Sequence, residues 1–112
     1  MEEELWMKIP NTKNNFVSSV GRVGSLRKEI YTKKLKFRIL KPYDYNRKRT
    51  VNINLDNKGF NSIPIGRIVA GVFIDNPYNF DSVGHKDGDY TNNKVNNLFW
   101  KKTNKEKYAR IN

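Results

Sequence analysis

The 112 residues carry 22 Lys and Arg against 11 Asp and Glu, a net charge of +11, with one histidine and no cysteine. That length suits one domain with a modest core. Without cysteine there are no disulfides and no thiolate zinc sites, and no apolar run approaches the roughly 18 residues of a membrane span. The cationic excess favours a polyanionic partner, nucleic acid first. The start Met1-Glu2-Glu3-Glu4 lacks the basic-then-apolar pattern of a secretory signal.

From Trp6 to Ser25, Phe16-Val17-Ser18 and Arg22-Val23-Gly24-Ser25 alternate around Gly21, which predicts two short strands and a tight turn. Lys34-Leu35-Lys36-Phe37-Arg38-Ile39-Leu40 alternates charge with apolarity, the pattern of a strand with one buried and one cationic face, limited by Pro42. Thr50-Val51-Asn52-Ile53-Asn54-Leu55 alternates again. Asp56-Asn57-Lys58-Gly59 is a turn signal, with Phe60 to Ile65 as the returning strand. This half is expected to be one small antiparallel sheet.

The period then changes. Ile65, Ile68, Val69, Val72 and Phe73 share one face of a short helix, which Asn76-Pro77 stops. Asp81 to Trp100 reads as a strand, an asparagine-rich loop and a second strand. Thr103 with Glu106 has the form of a capping box, which predicts a helix through about Arg110. The fold class expected is α+β: a β-rich module over residues 1–60, then a strand–loop–strand–helix unit over 61–112.

His85 is the one side chain whose ordinary pKa suits proton transfer near neutrality. It lies in Gly84-His85-Lys86-Asp87-Gly88, followed by Asn92-Asn93 and Asn97-Leu98-Phe99-Trp100. Read for themselves, these asparagines are turn formers, Phe99 and Trp100 are strand and core residues, and a lone histidine is a surface residue. Basic residues gather in two places. One includes Lys34, Lys36, Arg38, Arg47, Lys48 and Arg49; the other includes Lys101, Lys102 and Lys105.

In this order, the motif around His85, the preceding Ile68-to-Pro77 segment and the Trp6-x-Lys8-Ile9-Pro10 module resemble phage-type HNH homing endonucleases, which have a ββα-metal fold. The resemblance implies a nuclease that nicks or cleaves double-stranded DNA in the cytoplasm of a virus's host, with no membrane partner. It makes His85 the general base and Asn97 the asparagine that holds loop and histidine in register. It makes Glu106 a ligand to one divalent cation, Mg2+ or Mn2+; the same Glu106 reads equally well as a helix cap. Lys34, Lys36, Arg38, Arg47, Lys48, Arg49, Arg67, Lys101, Lys102 and Lys105 are its expected DNA contacts. Two positions depart from the pattern. Gly84 stands where a ligating acid or amide is common, and Gly66-Arg67 where His-Arg is common. The alternative reading is a catalytically degenerate viral relative that binds DNA or a host protein.

Overall fold

In the computed structural model, which describes residues 3–103, the alternating segments form antiparallel strands and the segment of helical period forms an α-helix. Strands β1 (Trp6–Lys8), β2 (Asn15–Ser18), β3 (Val23–Lys28) and β4 (Leu35–Ile39) pair in sequence order into one sheet. Strands β5 (Tyr43–Tyr45), β6 (Lys48–Leu55) and β7 (Gly59–Pro64) form a second sheet. The N-terminal half therefore holds two sheets rather than the single one expected. The chain leaves the first sheet after Ile39, and Pro42, which has no N–H to donate, lies between the two. Strands β1 and β5 span three residues each, too short for alternation to reveal them.

The expectation for β4 also needs correction. Its apolar residues Leu35, Phe37 and Ile39 are 69%, 45% and 46% exposed, so neither face of this edge strand is buried. Phe37 packs in a T-shaped pair with Trp6, ring centroids 5.0 Å apart, beside Phe16 and over Gly24.

A two-residue turn joins β5 to β6. Tyr45 pairs with Lys48, and Asn46 and Arg47 both have left-handed backbones, φ 50° and 57°. That is the turn geometry whose twist matches a hairpin, and it puts Arg47 at a tip beside Lys48 and Arg49. Helix α1 (Ile65–Phe73) follows β7 directly; Pro64, extended at φ −62° and ψ 135°, is its N-cap. The fixed φ of proline suits this junction and its missing N–H costs the helix nothing. The buried face of α1 presents Ile65, Ile68 and Val69. These pack in one core with Val17 and Val23 of the first sheet, Val51 and Ile53 of the second, and Leu98. Asn76 closes the segment after α1, accepting from the Phe80 N–H and donating to the Phe80 carbonyl, both at 2.9 Å.

The last element is a ribbon of β8 (Ser82–His85) and β9 (Leu98–Lys101), paired from Ser82–Lys101 to His85–Leu98. A short 3-10 turn, Val95–Asn97, leads into β9. Leu98 is 3% exposed, so the residue opposite His85 is anchored in the common core. Trp100 donates its indole N–H to the Ile74 carbonyl at 3.1 Å and ties the ribbon to the end of α1. Thr103 donates from its N–H and its hydroxyl to the Asp81 carboxylate. The rest of the expected terminal helix, with Glu106 and Lys105, lies outside the described residues. Among those described, no helix is long and apolar enough to cross a membrane.

Ile53 is 1% exposed where both sheets meet α1. Ile53→Ala is expected to cost about 2–5 kcal/mol of unfolding free energy, read from the urea midpoint at unchanged m-value.

Candidate active site

The loop between β8 and β9 is held shut by its own asparagines and aspartates. Asn97 is 7% exposed. Its amide nitrogen donates to the Asp87 carboxylate at 2.9 Å and to the Asn92 carbonyl at 2.8 Å. Its amide oxygen accepts from the Asp87 N–H at 3.2 Å, and its backbone carbonyl accepts from the Lys86 N–H at 2.8 Å. One side chain thus clasps both ends of the loop that starts at His85. Asp87 is the other half of the clasp. Donation from the Asn92 amide, the Asp89 N–H and the Asn97 amide lowers its pKa to about 2. Asp89 is likewise held ionised by the Thr91 hydroxyl and N–H.

His85 is placed by a different asparagine. Its Nε2 lies 2.8 Å from Oδ1 of Asn93, which is 4% exposed. The Asn93 amide nitrogen donates to the Tyr90 carbonyl at 3.3 Å, so the amide oxygen faces the ring. An amide oxygen only accepts, so Nε2 carries the hydrogen and Nδ1 is left as the basic nitrogen. Gly66, in the first turn of α1, backs this pair. A Cβ there would lie 2.8 Å from Asn93 Oδ1 and 3.5 Å from His85 Nε2. The glycine at position 66 makes room for the bond that orients the imidazole.

Gly84 has a second packing explanation. It pairs with Phe99 across the ribbon, and a Cβ on Gly84 would overlap the Phe99 ring. An aromatic side chain covering a facing glycine shields strand backbone that glycine leaves bare. The space where a ligand at position 84 would begin is filled by ring carbon. The nearby carboxylates of Asp87 and Asp89 are committed to the loop. No cluster of three or more His, Cys, Asp or Glu exists among the described residues. Those residues do not fit a divalent cation, and Glu106 lies outside them.

What they do fit is an anion. His85 opens into a cleft of about 320 Å³ with Tyr90 and Asn93 on its wall. Arg47, Lys48, Arg49, Arg67 and Lys101 line it too, and among the described residues no carboxylate does. The β5–β6 hairpin delivers the first three, α1 the fourth and β9 the fifth. Arg49 is held from behind, its Nε donating to Asp44 at 2.6 Å. Arg67 is fixed by donation to the Asp81 carbonyl at 2.7 Å. The other oxygen of Asp44 accepts from the Tyr90 hydroxyl at 3.1 Å. This bond raises the Tyr90 pKa, so the phenol stays protonated.

Of the expected DNA contacts, Arg47, Lys48, Arg49, Arg67 and Lys101 converge on His85. Lys34 precedes β4, and Lys36 and Arg38 lie on it, lining a different groove; Lys36 is paired with Glu29 at 2.5 Å. Lys102 is exposed and does not line the cleft. Sequence reasoning passed over Asn93, Tyr90 and Asp44. Asn93 stood among other asparagines of turn type, and Asp44 reaches Tyr90 across 46 residues of chain, a pairing no local pattern signals.

No protein-family model matches the sequence. The chain is 35% identical, over 101 residues and 85% of its length, to an uncharacterized HNH endonuclease of Acanthamoeba polyphaga mimivirus. Its fold is similar to that of the HNH homing endonuclease I-HmuI, in a structure described as DNA binding and cleavage by that enzyme. The TM-score is 0.67 at 24% identity, covering 99% of this chain. The chain spans 26% of the length of the mimivirus protein and 58% of the solved chain.

The Asp87 clasp makes loop stability depend on pH with a definite sign. The native carboxyl, at about 2, lies below its ordinary value of 3.8. The unfolded state therefore binds the proton more readily, so the stabilisation is complete above that ordinary value and lost as pH falls towards about 2. Measured by urea unfolding across this acid window, the wild type should lose stability more steeply than Asp87→Asn. Equal slopes would show that the clasp does not depend on the charge of Asp87.

Proposed function

Because this chain belongs to the HNH endonuclease family, we propose that its cleft binds the backbone of duplex DNA and hydrolyses a phosphodiester there, with His85 as general base. The observation that carries this reading is one imidazole, oriented by a buried amide, opening into a cleft that, among the described residues, is lined by five cations and no carboxylate. Phosphate is the anion that such a set of fixed guanidinium and mobile ammonium groups receives well.

The geometry supports a role for each residue. Asn93 holds Nε2–H, so Nδ1 takes the proton from a water. The water oxygen forms a bond to phosphorus, the P–O3′ bond breaks, and the leaving oxygen takes a proton from solvent. Arg67 and Arg49, held by Asp81 and Asp44, offer positive charge that needs little rearrangement when negative charge builds on the phosphate. Arg47, Lys48 and Lys101 have no acidic partner among the described residues and supply neutralisation of the flanking backbone. Contacts of this type set affinity and salt dependence and carry little sequence information.

Plasmid nicking tests the reading. Run with Mg2+, with Mn2+ and with EDTA, the same assay also shows whether a cation is required. His85→Ala is expected to lower the nicking rate by about 10²–10⁴-fold while duplex affinity is retained. Asn93→Leu, which leaves the ring but removes its acceptor, should fall between wild type and His85→Ala. DNA binding with no nicking by the wild type under any of these conditions would identify a binding protein with a nuclease fold. Arg47→Ala should weaken duplex binding at every sequence and reduce the slope of log K against log salt by about one.

A further inference from the structure

A second cavity, of about 520 Å³, lies between the two sheets and shares no lining residue with the His85 cleft. Lys48 and Arg49 at one end of β6 line the cleft, and Asn54 and Leu55 at the other end line this cavity. At the rise of an extended strand, Lys48 and Leu55 are about 24 Å apart.

The floor of the cavity is unusual for a space between sheets. Asn15 of β2 and Ser25 of β3 face each other in register and are 8% and 6% exposed. They continue the row of Val17 and Val23, whose side chains are core. Neither Asn15 nor Ser25 has a side-chain hydrogen-bond partner among the described residues. No fully enclosed polar atom there is unsatisfied, so the amide and hydroxyl are open to the cavity they line. Buried polar side chains normally have a partner in the protein or in bound solvent. Two adjacent ones aimed into one space form a recognition surface for a polar ligand.

The rest of the lining narrows the ligand class. Among the described residues, Lys13 and Arg27 stand at the rim without acidic partners, and Asp56 is the one carboxylate in the lining. That balance repels a metal ion and attracts an anionic group. Phe60, 70% exposed, offers a flat apolar face at the same mouth. A heterocycle with donors and acceptors on its edge, a stacking face and an attached phosphate matches all three features. The volume also lies within the range of small-molecule sites, about 300–1,000 Å³. We propose that the cavity between the two sheets is a nucleotide site. Asn15 and Ser25 read the edge of the base, Phe60 covers its face, and Lys13 and Arg27 hold the phosphate. The base comes either from a free mononucleotide or from a nucleotide turned out of a DNA strand. The proposal does not rest on His85.

The test uses the full chain and the four nucleoside 5′-monophosphates, titrated to about 10 mM by calorimetry. Duplexes carrying 2-aminopurine report an extruded base by a rise in fluorescence. Saturable binding of at least one monophosphate supports the site with a free nucleotide as its source. A fluorescence rise supports it with DNA as the source. In either case Ser25→Leu, which fills the floor, should abolish the signal. Arg27→Glu, at an exposed position, should weaken it by about tenfold or more, and His85→Ala should leave it unchanged. Absence of both signals in the wild type overturns the proposal, as does a signal that survives Arg27→Glu at full strength. Nicking lost in His85→Ala with nucleotide binding intact separates the failure of one reading from that of the other.

Discussion

The hydrogen bond between His85 Nε2 and Asn93 Oδ1 is the interaction on which the reading of this fold turns. A lone imidazole on a loop is free to rotate and to exchange tautomers, and then no nitrogen is reserved for chemistry. Here a buried amide fixes both choices. Its position depends on three further features: Gly66 leaves it room, the Tyr90 carbonyl accepts from its other end, and the Asn97–Asp87 clasp keeps the loop from opening. None of the four is costly alone. Each removes a way for the ring to drift, and together they give one orientation to a side chain that is itself only half-buried.

Both departures from the family pattern, at positions 66 and 84, are compensated locally by side chains of other residues. At position 66 the compensation serves the imidazole, since the missing side chain is what lets Asn93 approach. At position 84 it serves the ribbon, since Phe99 occupies the space and protects the strand. The consequences differ. The first keeps the imidazole in place; the second fills the space beside position 84 with hydrocarbon. A glycine at a site is therefore not merely a deletion, and its meaning is set by the neighbour that moved in.

Much of the fold was legible because its signals are local. The alternation in Thr50 to Leu55, the turn signal before Gly59 and the 3.6-residue spacing from Ile65 to Phe73 correspond to β6, the turn to β7, and α1. His85 and Asn97 were conspicuous by type and spacing. What escaped depends on the third dimension. β1 and β5 take their identity from their partners rather than from their own three residues. The alternation of β4 suggested burial, but on this edge strand only Phe37 finds aromatic partners, and its apolar residues stay exposed. Asn93 was indistinguishable in sequence from Asn92, yet their side chains do different work: one faces the imidazole, the other donates to Asp87.

The charge of the chain points the same way once its pairs are subtracted. Glu4 engages Arg22, Glu29 engages Lys36 and Asp44 engages Arg49. Asp87 and Asp89 spend their charge on loop donors. Among the described residues, the acids near the His85 cleft thus stiffen the frame and stay out of its lining, and none of them cancels the cations that reach the cleft. Asp44 shows why this matters for geometry as well as for charge. With one oxygen it holds Arg49 of the β5–β6 hairpin, and with the other it takes the Tyr90 hydroxyl from the histidine loop. The carboxylate sets the distance between the element that supplies positive charge and the loop that carries the imidazole. An anion bridging the two therefore meets both at a spacing fixed before it arrives, which is the condition under which charge in a cleft assists a reaction rather than merely attracting a ligand.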